Sequence, residues 1–310
     1  MRNAFASEIL AAAADDERVV MLSGDIGNRL FDKFKERFAD RLFNCGVAEA
    51  NMIGVAAGMA MSGLRPVAYT IVPFLTTRCL EQIRVDLCYH RAPAVLVGVG
   101  GGLSYASLGA THQSCEDIAF MRVLPGMTVL CPGDSWEVKA ALRAALKHDG
   151  PVYIRIGKKG EPLVHREAPA FVIGKGIVLG EGRDVCLLST GNVLPMVVKA
   201  AELLRARDVS ARVVSFHTVK PLDEELLADS FKRFKTVVTI EEHSRLGGLG
   251  GSVAEWLADH PGLKARLVRV GTEDAFLHEV GEQEFARKLH GLTPEVIAEK
   301  VSAAPAGGAR

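Results

Sequence analysis

Short runs of β-branched and aliphatic residues alternate along this chain with longer stretches of helical spacing, the pattern of a parallel α/β fold. In the first half, strands are predicted at Val19–Ser23, Arg41–Val47, Val67–Val72, Ala94–Val99, Thr128–Cys131 and Val152–Ile156. Helices are predicted between them near Asn3–Ala14, Glu49–Ser62, Leu75–Tyr89, Ser114–Val123 and Ser135–His148. Asp149-Gly150-Pro151 reads as a turn, and residues 161–183, with Pro162 and Pro169, as a linker. A second unit follows, with strands predicted at Val185–Ser189, Ala211–Ser215, Thr236–Ile240 and Ala265–Val270. Its helices fall near Leu194–Ala206, Asp223–Phe234, Leu249–Asp259 and Pro294–Val301. The expectation is two consecutive parallel-sheet α/β domains, over 1–160 and 184–302, with a flexible tail at 303–310.

A chain of 310 residues that is 48% hydrophobic can bury a core in each of two such domains. Lys plus Arg (37) balances Asp plus Glu (37), so no charge excess points to nucleic acid or an anionic membrane surface. No apolar run approaches the ~20 residues a spanning helix needs. Glu8 interrupts the apolar pattern after Met1-Arg2-Asn3, unlike a secretory signal, which makes a cytoplasmic protein the expectation. Cys45, Cys79, Cys88, Cys115, Cys131 and Cys186 show no Cys-x-x-Cys spacing and read as reduced thiols. The nine histidines form no ligand spacing, so no metal site is expected on this chain.

Candidate chemistry gathers where predicted strands end. The stretch Phe43-Asn44-Cys45-Gly46-Val47-Ala48-Glu49-Ala50-Asn51 places Glu49 at a strand-to-helix junction, followed by Gly54, Ala57 and Gly58, which allow close packing. Shielding from water disfavours the charged form of such a carboxyl and suits it to share a proton with a ring nitrogen. It is equally a helix-start Glu favoured by the macrodipole. Gly100, Gly101, Gly102 and Gly109 form a loop after the strand Ala94–Val99, where open α/β sheets bind ligands. His112 on that loop can move protons or bond a substrate oxygen; alternatively it is a solvated histidine beside the helix-capping residues Thr111 and Ser114.

Phe74, after Pro73, can stack on a flat heteroaromatic ring or belong to the core. Gly24-Asp25-Ile26-Gly27-Asn28-Arg29 also follows a strand, but its glycine spacing is not the dinucleotide fingerprint. Arg2 and Lys158 can grip a phosphate or serve as surface cations. Glu241-Glu242-His243 ends another strand before Gly247-Gly248-Leu249-Gly250-Gly251. Those glycines suit either an anion site at a helix N-terminus or, the favoured reading, a close strand-to-helix turn.

Taken in order, Gly46-Val47-Ala48-Glu49, Pro73-Phe74-Leu75, Thr111-His112-Gln113, Arg122 to Val129, Asp149-Gly150-Pro151 and the glycines at 247–251 resemble one family. The chain resembles the C-terminal section of a transketolase, that is, its pyrimidine-binding domain and small C-terminal domain, from Arg2 to about Val301. The resemblance implies thiamine diphosphate as cofactor and transfer of a two-carbon ketol unit from a ketose to an aldehyde. It places the family's proton-relay glutamate on Glu49 and the aromatic beside the aminopyrimidine on Phe74. The histidine near the donor's oxygens falls on His112, and an aspartate near the cofactor on Asp25. The substrate-phosphate cations fall on Arg2 and Lys158, and Arg29, in the loop of Asp25, is a further substrate-binding candidate.

The family's Gly-Asp-Gly motif, which with a downstream Asn holds Mg²⁺ and the diphosphate, does not occur here. The chain therefore resembles one subunit of a split transketolase, and the resemblance implies an N-terminal partner that holds Mg²⁺, in a heterotetramer of two chains of each kind. Departures from the family concern the substrate. Leu108 stands where an Asp reads a donor hydroxyl, Gly100 where a His contacts phosphate, and Lys158 where an Arg does. Thr77 and Leu80 replace two pocket aromatics. Together they suggest a modified or deoxy sugar, because a site without its hydroxyl reader discriminates that hydroxyl less. The alternatives are the β subunit of a 2-oxo acid dehydrogenase first component, a deoxyxylulose-phosphate-synthase-like enzyme, and a non-catalytic subunit.

Overall fold

In the computed structural model, which describes residues 1–27, 29–158 and 160–303, strands and helices alternate around two sheets. The first sheet contains β1 (Val19–Ser23), β2 (Leu42–Asn44), β3 (Arg65–Ile71), β4 (Val95–Val99), β5 (Thr128–Leu130) and β6 (Val152–Ile156). The second is built from β7 (Ile177–Gly180), β8 (Val185–Thr190), β9 (Ala211–Ser215), β11 (Thr236–Ser244) and β12 (Arg266–Thr272). The order is β5-β6-β4-β3-β1-β2 in the first and β12-β11-β8-β9-β7 in the second, as two parallel-dominated sheets. Strands such as β1, β4 and β6 are buried along their whole length, as expected where helices cover both faces.

Antiparallel edges finish both sheets. β7, inside the stretch 161–183 read as a linker, pairs antiparallel with β9. Strand β10 (Thr218–Lys220) leaves the second unit and adds antiparallel to β5 of the first. The second unit thus supplies the last strand of the first sheet. Residues 304–310 of the expected tail lie outside the described residues.

Several elements depart from the sequence reading for local reasons. The strand expected over Arg41–Val47 pairs only at Leu42–Asn44, because Asn44 Oδ1 accepts the Gly46 amide and Gly46 turns to a φ of 70°. The helix expected over Leu75–Tyr89 is split into a turn at Val72–Leu75, a short helix at Leu80–Gln82 and a π-helix over Ile83–Tyr89. The Val72 carbonyl accepts both the Thr76 amide at 2.9 Å and, as a second bond, Thr76 Oγ1 at 2.8 Å, at the end of that first turn. The helix expected from Ser114 starts at Asp117, since Ser114 instead bridges Gly102 across the base of a loop. Helices at Asp32–Arg37 and Gln283–Leu289 are additional.

All the carboxyl ends of β1, β2, β3, β4 and β6 open on one side of the first sheet. Each carries one of the segments singled out above, which converts their scatter in sequence into a single crevice.

Candidate active site

Glu49 opens the helix Glu49–Met61 just beyond β2 and is 1% exposed. A Cβ added to Gly24, after β1, would stand 3.2 Å from Glu49 Cγ and 3.1 Å from Thr70 Oγ1, tight enough that these side chains would have to give by a few tenths of an ångström. Glu49 Oε2 accepts a hydrogen bond from Arg78 Nη1 at 2.6 Å. The Arg78 guanidinium also lies 4.3 Å from the centroid of the Phe74 ring.

Phe74 in turn meets the His112 imidazole edge to face, with centroids 5.1 Å apart. His112 lies 6.0 Å from Tyr105, and Lys158 Nζ sits 4.6 Å from the Tyr105 centroid. Glu49, Arg78, Phe74, His112, Tyr105 and Lys158 thus form one continuous run across the ends of β2, β3, β4 and β6. Burial lowers the His112 pKa below its ordinary 6.5, which favours the neutral ring. Thr111 Oγ1 is 2.9 Å from its Nδ1.

Burial pushes the Tyr105 hydroxyl up and the positive charge of Arg2 partly offsets the shift; Met1 Sδ accepts the Gly157 amide at 3.2 Å, which brings the chain's first residues to the Lys158 end of the run. Among the described residues, Arg2 Nε is buried without a hydrogen-bond partner. Two cations therefore flank Tyr105. Gly100 has a φ of 82°, and an added Cβ would come within 2.0 Å of the Tyr105 ring. That contact gives a packing reason for glycine at this position.

The other candidates stand apart from this run. Asp25, at a φ of 56°, accepts from Asn44 Nδ2 at 2.9 Å and ties the loops after β1 and β2 together. Arg29 is exposed on the same loop, at a φ of 63°. Leu108 ends a 3-10 turn, Ala106–Leu108, with its side chain half exposed on the His112 loop.

The sequence reading missed Arg78 and passed over Tyr105. The available signal for Arg78 was its place four residues beyond Phe74, one helical turn along a segment that leaves a strand end. At the glycine-rich segment an internal carboxylate occupies the helix start: Glu241 accepts from the Leu249 and Gly250 amides at 2.7 and 2.8 Å. A Cβ on Gly248 would lie 2.0 Å from Glu241 Oε2, so the glycine makes a close turn for that contact.

This arrangement fits an aminopyrimidine. Phe74 offers a ring face, and Glu49 brings a buried carboxylate to its side. Thr70 Oγ1 beside them is buried without a partner. Arg78 stands over the same ring face and, being 45% exposed, has solvent to move into. Among the described residues no three His, Cys, Asp or Glu side chains are grouped as for a metal ion.

A buried acid, a half-buried aromatic and a histidine thus meet at strand ends, ahead of a second α/β unit. Comparison with known proteins gives the class. The family model for the transketolase pyrimidine binding domain matches residues 1–161, and that for the transketolase C-terminal domain matches 174–297. The chain is 37% identical over 304 residues to a putative transketolase C-terminal section of Methanocaldococcus jannaschii, covering 97% of this chain and 95% of that one. It is 38% identical over 298 residues to the 6-deoxy-6-sulfo-D-fructose transketolase subunit of Clostridium sp., covering 96% and 92%. A solved split gene transketolase, an inactive beta4 tetramer, superposes with a TM-score of 0.91 at 36% identity, covering 98% and 97%.

The chain belongs to the transketolase family. Within it, the chain carries the pyrimidine-binding and C-terminal domains of a thiamine diphosphate-dependent transketolase, an enzyme of two-carbon ketol transfer, and it matches split-gene relatives over nearly their whole length.

Proposed function

We propose that this subunit receives the aminopyrimidine end of thiamine diphosphate together with the sugar, while an N-terminal partner subunit supplies the diphosphate and Mg²⁺ site. The observation that carries the reading is the unbroken run from Glu49 through Phe74 and His112 to Lys158. When bound, the cofactor supplies the nucleophilic carbon on which ketol transfer depends.

The protein's own groups do the rest. Glu49 holds or shares a proton at the pyrimidine nitrogen. Phe74 fixes the plane of the ring, with Arg78 moving aside. Asp25 steadies the loop wall beside the cofactor. His112, half-buried and favoured in its neutral form, bonds the donor's oxygens and takes up or returns a proton there. Arg2 and Lys158 bind the far, anionic end of the substrate, with Arg29 at the rim.

Along the segment that leads into Glu49 and the helix that it opens, the side chains of Phe43, Val47, Val55 and Met61 are exposed, and a side chain added at Gly58 would meet open space. This apolar rim supports coverage by a partner, in a cytoplasmic heterotetramer of two chains of each kind. Leu108 and Lys158 support a modified sugar donor of specialised carbohydrate metabolism, in keeping with the name of the Clostridium relative, whereas Gly100 is explained by its packing against Tyr105. We divide the chain into a pyrimidine-binding domain at 1–160 and a C-terminal domain at 184–302.

Calorimetric titration with thiamine diphosphate and Mg²⁺ tests this, using the chain alone and copurified with an N-terminal transketolase subunit from the same genome. Saturable binding by the pair and none by this chain alone is expected. Tight binding by the chain alone, or none by the pair, would overturn the shared site.

A further inference from the structure

The loop that carries His112 is fixed at its base by the second domain, through one carboxylate. Gly102 and Ser114 pair backbone to backbone, Gly102 N to Ser114 O at 2.8 Å and Ser114 N to Gly102 O at 2.9 Å, closing a loop over the residues between them. Glu242, on β11 and 0% exposed, reaches across the domain junction to that closure. Its Oε1 accepts the Leu103 amide at 2.7 Å. The same carboxylate accepts Arg287 Nε at 2.5 Å and Gln283 Nε2 at 2.9 Å, from the helix Gln283–Leu289. Gln283 Nε2 is also 3.3 Å from Ser104 Oγ, one residue further along the loop.

The other end of the closure is held from the first domain and linked to the same strand. Arg155 Nη2 donates to the Ser114 carbonyl at 3.1 Å and to the Glu242 carbonyl at 2.9 Å, while Arg155 Nε binds Asp117 Oδ2 at 2.8 Å. Gly102 is squeezed between: an added Cβ would lie 2.6 Å from both the backbone oxygen and Oε1 of Glu242. The loop crosses this point with no room for any other residue.

We propose that Glu242 is a positioning residue for His112, so that the C-terminal domain sets the placement of the active-site histidine. A carboxylate with three donors around it in a dry junction is rigid, and its grip on Leu103 N fixes the direction in which the loop leaves the sheet. Displacing a reacting group by ~1 Å costs up to about 100-fold in rate, so this anchor bears on turnover more than on substrate affinity. The inference rests on the placement of His112 at the substrate argued above.

Two double variants separate the acceptor from the charge. Glu242→Gln with Arg287→Met keeps an oxygen for Leu103 N; Glu242→Met with Arg287→Met removes it. Neither leaves a buried charge unpaired. In the enzyme reconstituted with its partner subunit, the Met variant should lose about tenfold or more in kcat at unchanged KM, with the Gln variant near the parent. Amide hydrogen exchange over Leu103–Gln113 should speed up by a similar factor in the Met variant only.

Equal kcat and equal loop exchange in the two variants overturn the proposal. If the Met variant does not fold, Gln283→Leu is the second measurement. It should accelerate exchange at Leu103–Ala106, and unchanged exchange overturns the proposal just as surely. His112→Ala distinguishes the underlying reading: full activity there refutes the role of His112, whereas the exchange result reports on the anchor independently.

Discussion

Arg78 Nη1 lies 2.6 Å from Glu49 Oε2, and the same guanidinium is centred 4.3 Å from the Phe74 ring. One side chain therefore spans the acid and the aromatic that flank the proposed ring site. Because Arg78 is 45% exposed, losing its partner costs little: the guanidinium turns to water. Glu49→Gln should accordingly leave the melting temperature of the subunit within a few degrees of the parent. Turnover in the reconstituted enzyme should fall by about 10²- to 10⁴-fold, the range for a lost acid–base group. Circular dichroism melts and initial rates check both halves, and activity within twofold of the parent would remove Glu49 from proton handling.

Phe74 is half-buried and touches His112 on one side and Arg78 on another, so its ring is not part of the fully buried core. Phe74→Leu keeps apolar contact but removes the ring face. An aromatic pair contributes roughly 0.5–1.5 kcal/mol beyond burial, so thiamine diphosphate should bind the complex about three- to tenfold more weakly. Calorimetry on the reconstituted pair measures this. An unchanged dissociation constant would place the pyrimidine elsewhere.

Glu241 and His243 make the second domain's response to pH a matter of opposed signs. Burial pushes Glu241 from 4.5 up to about 7, even though two backbone amides of the following helix favour its charged form. The folded state thus binds this proton more tightly than the unfolded state, and the carboxyl's contribution to stability is lost as pH rises from 4.5 to 7. Burial pulls His243 from 6.5 down to about 4, so its contribution is lost in the other direction, as pH falls from 6.5 toward 4. In Glu241→Gln the first effect disappears. The stability of the variant relative to the parent should therefore improve by roughly 3 kcal/mol between pH 4.5 and 7, as a linkage estimate. Denaturant melts at a series of pH values read that difference, and a constant offset between the two proteins would contradict it.

Much of this site was legible because its residues sit at boundaries that hydrophobic patterning marks well. β1 and β6 have the bounds that their β-branched runs predict, and Glu49 and His112 follow from where runs stop. Arg78 was not legible, because its meaning depends on a carboxylate 29 residues upstream that only the folded sheet brings near. The break in the Leu75–Tyr89 segment falls after Thr76, whose hydroxyl adds a bond to the Val72 carbonyl, and apolar periodicity does not register it. Strand β10 is three residues long and exists through pairing with β5, far earlier in the chain. Glu242 looks like any charged strand end until the partners Leu103, Gln283 and Arg287 converge on it.

Leu108 stands 51% exposed at the end of its 3-10 turn, four residues before His112. About half of that apolar side chain faces outward, toward what the loop meets. A polar residue at the same position would offer a hydroxyl of the donor an acceptor, and leucine offers none. A site built to bond a hydroxyl rejects the analogue lacking it far more strongly than an apolar site rejects the extra hydroxyl. Leu108→Asp should therefore cost little stability, within about 0.5 kcal/mol for an exposed position. It should shift the ratio of kcat/KM values toward ordinary ketose phosphates over deoxy or otherwise modified donors, by about tenfold for one gained charged hydrogen bond. Rates with paired hydroxylated and deoxy ketose donors, measured on the same enzyme preparation, decide the matter. An unchanged ratio would separate Leu108 from the donor and remove the main residue-level argument for an unusual sugar.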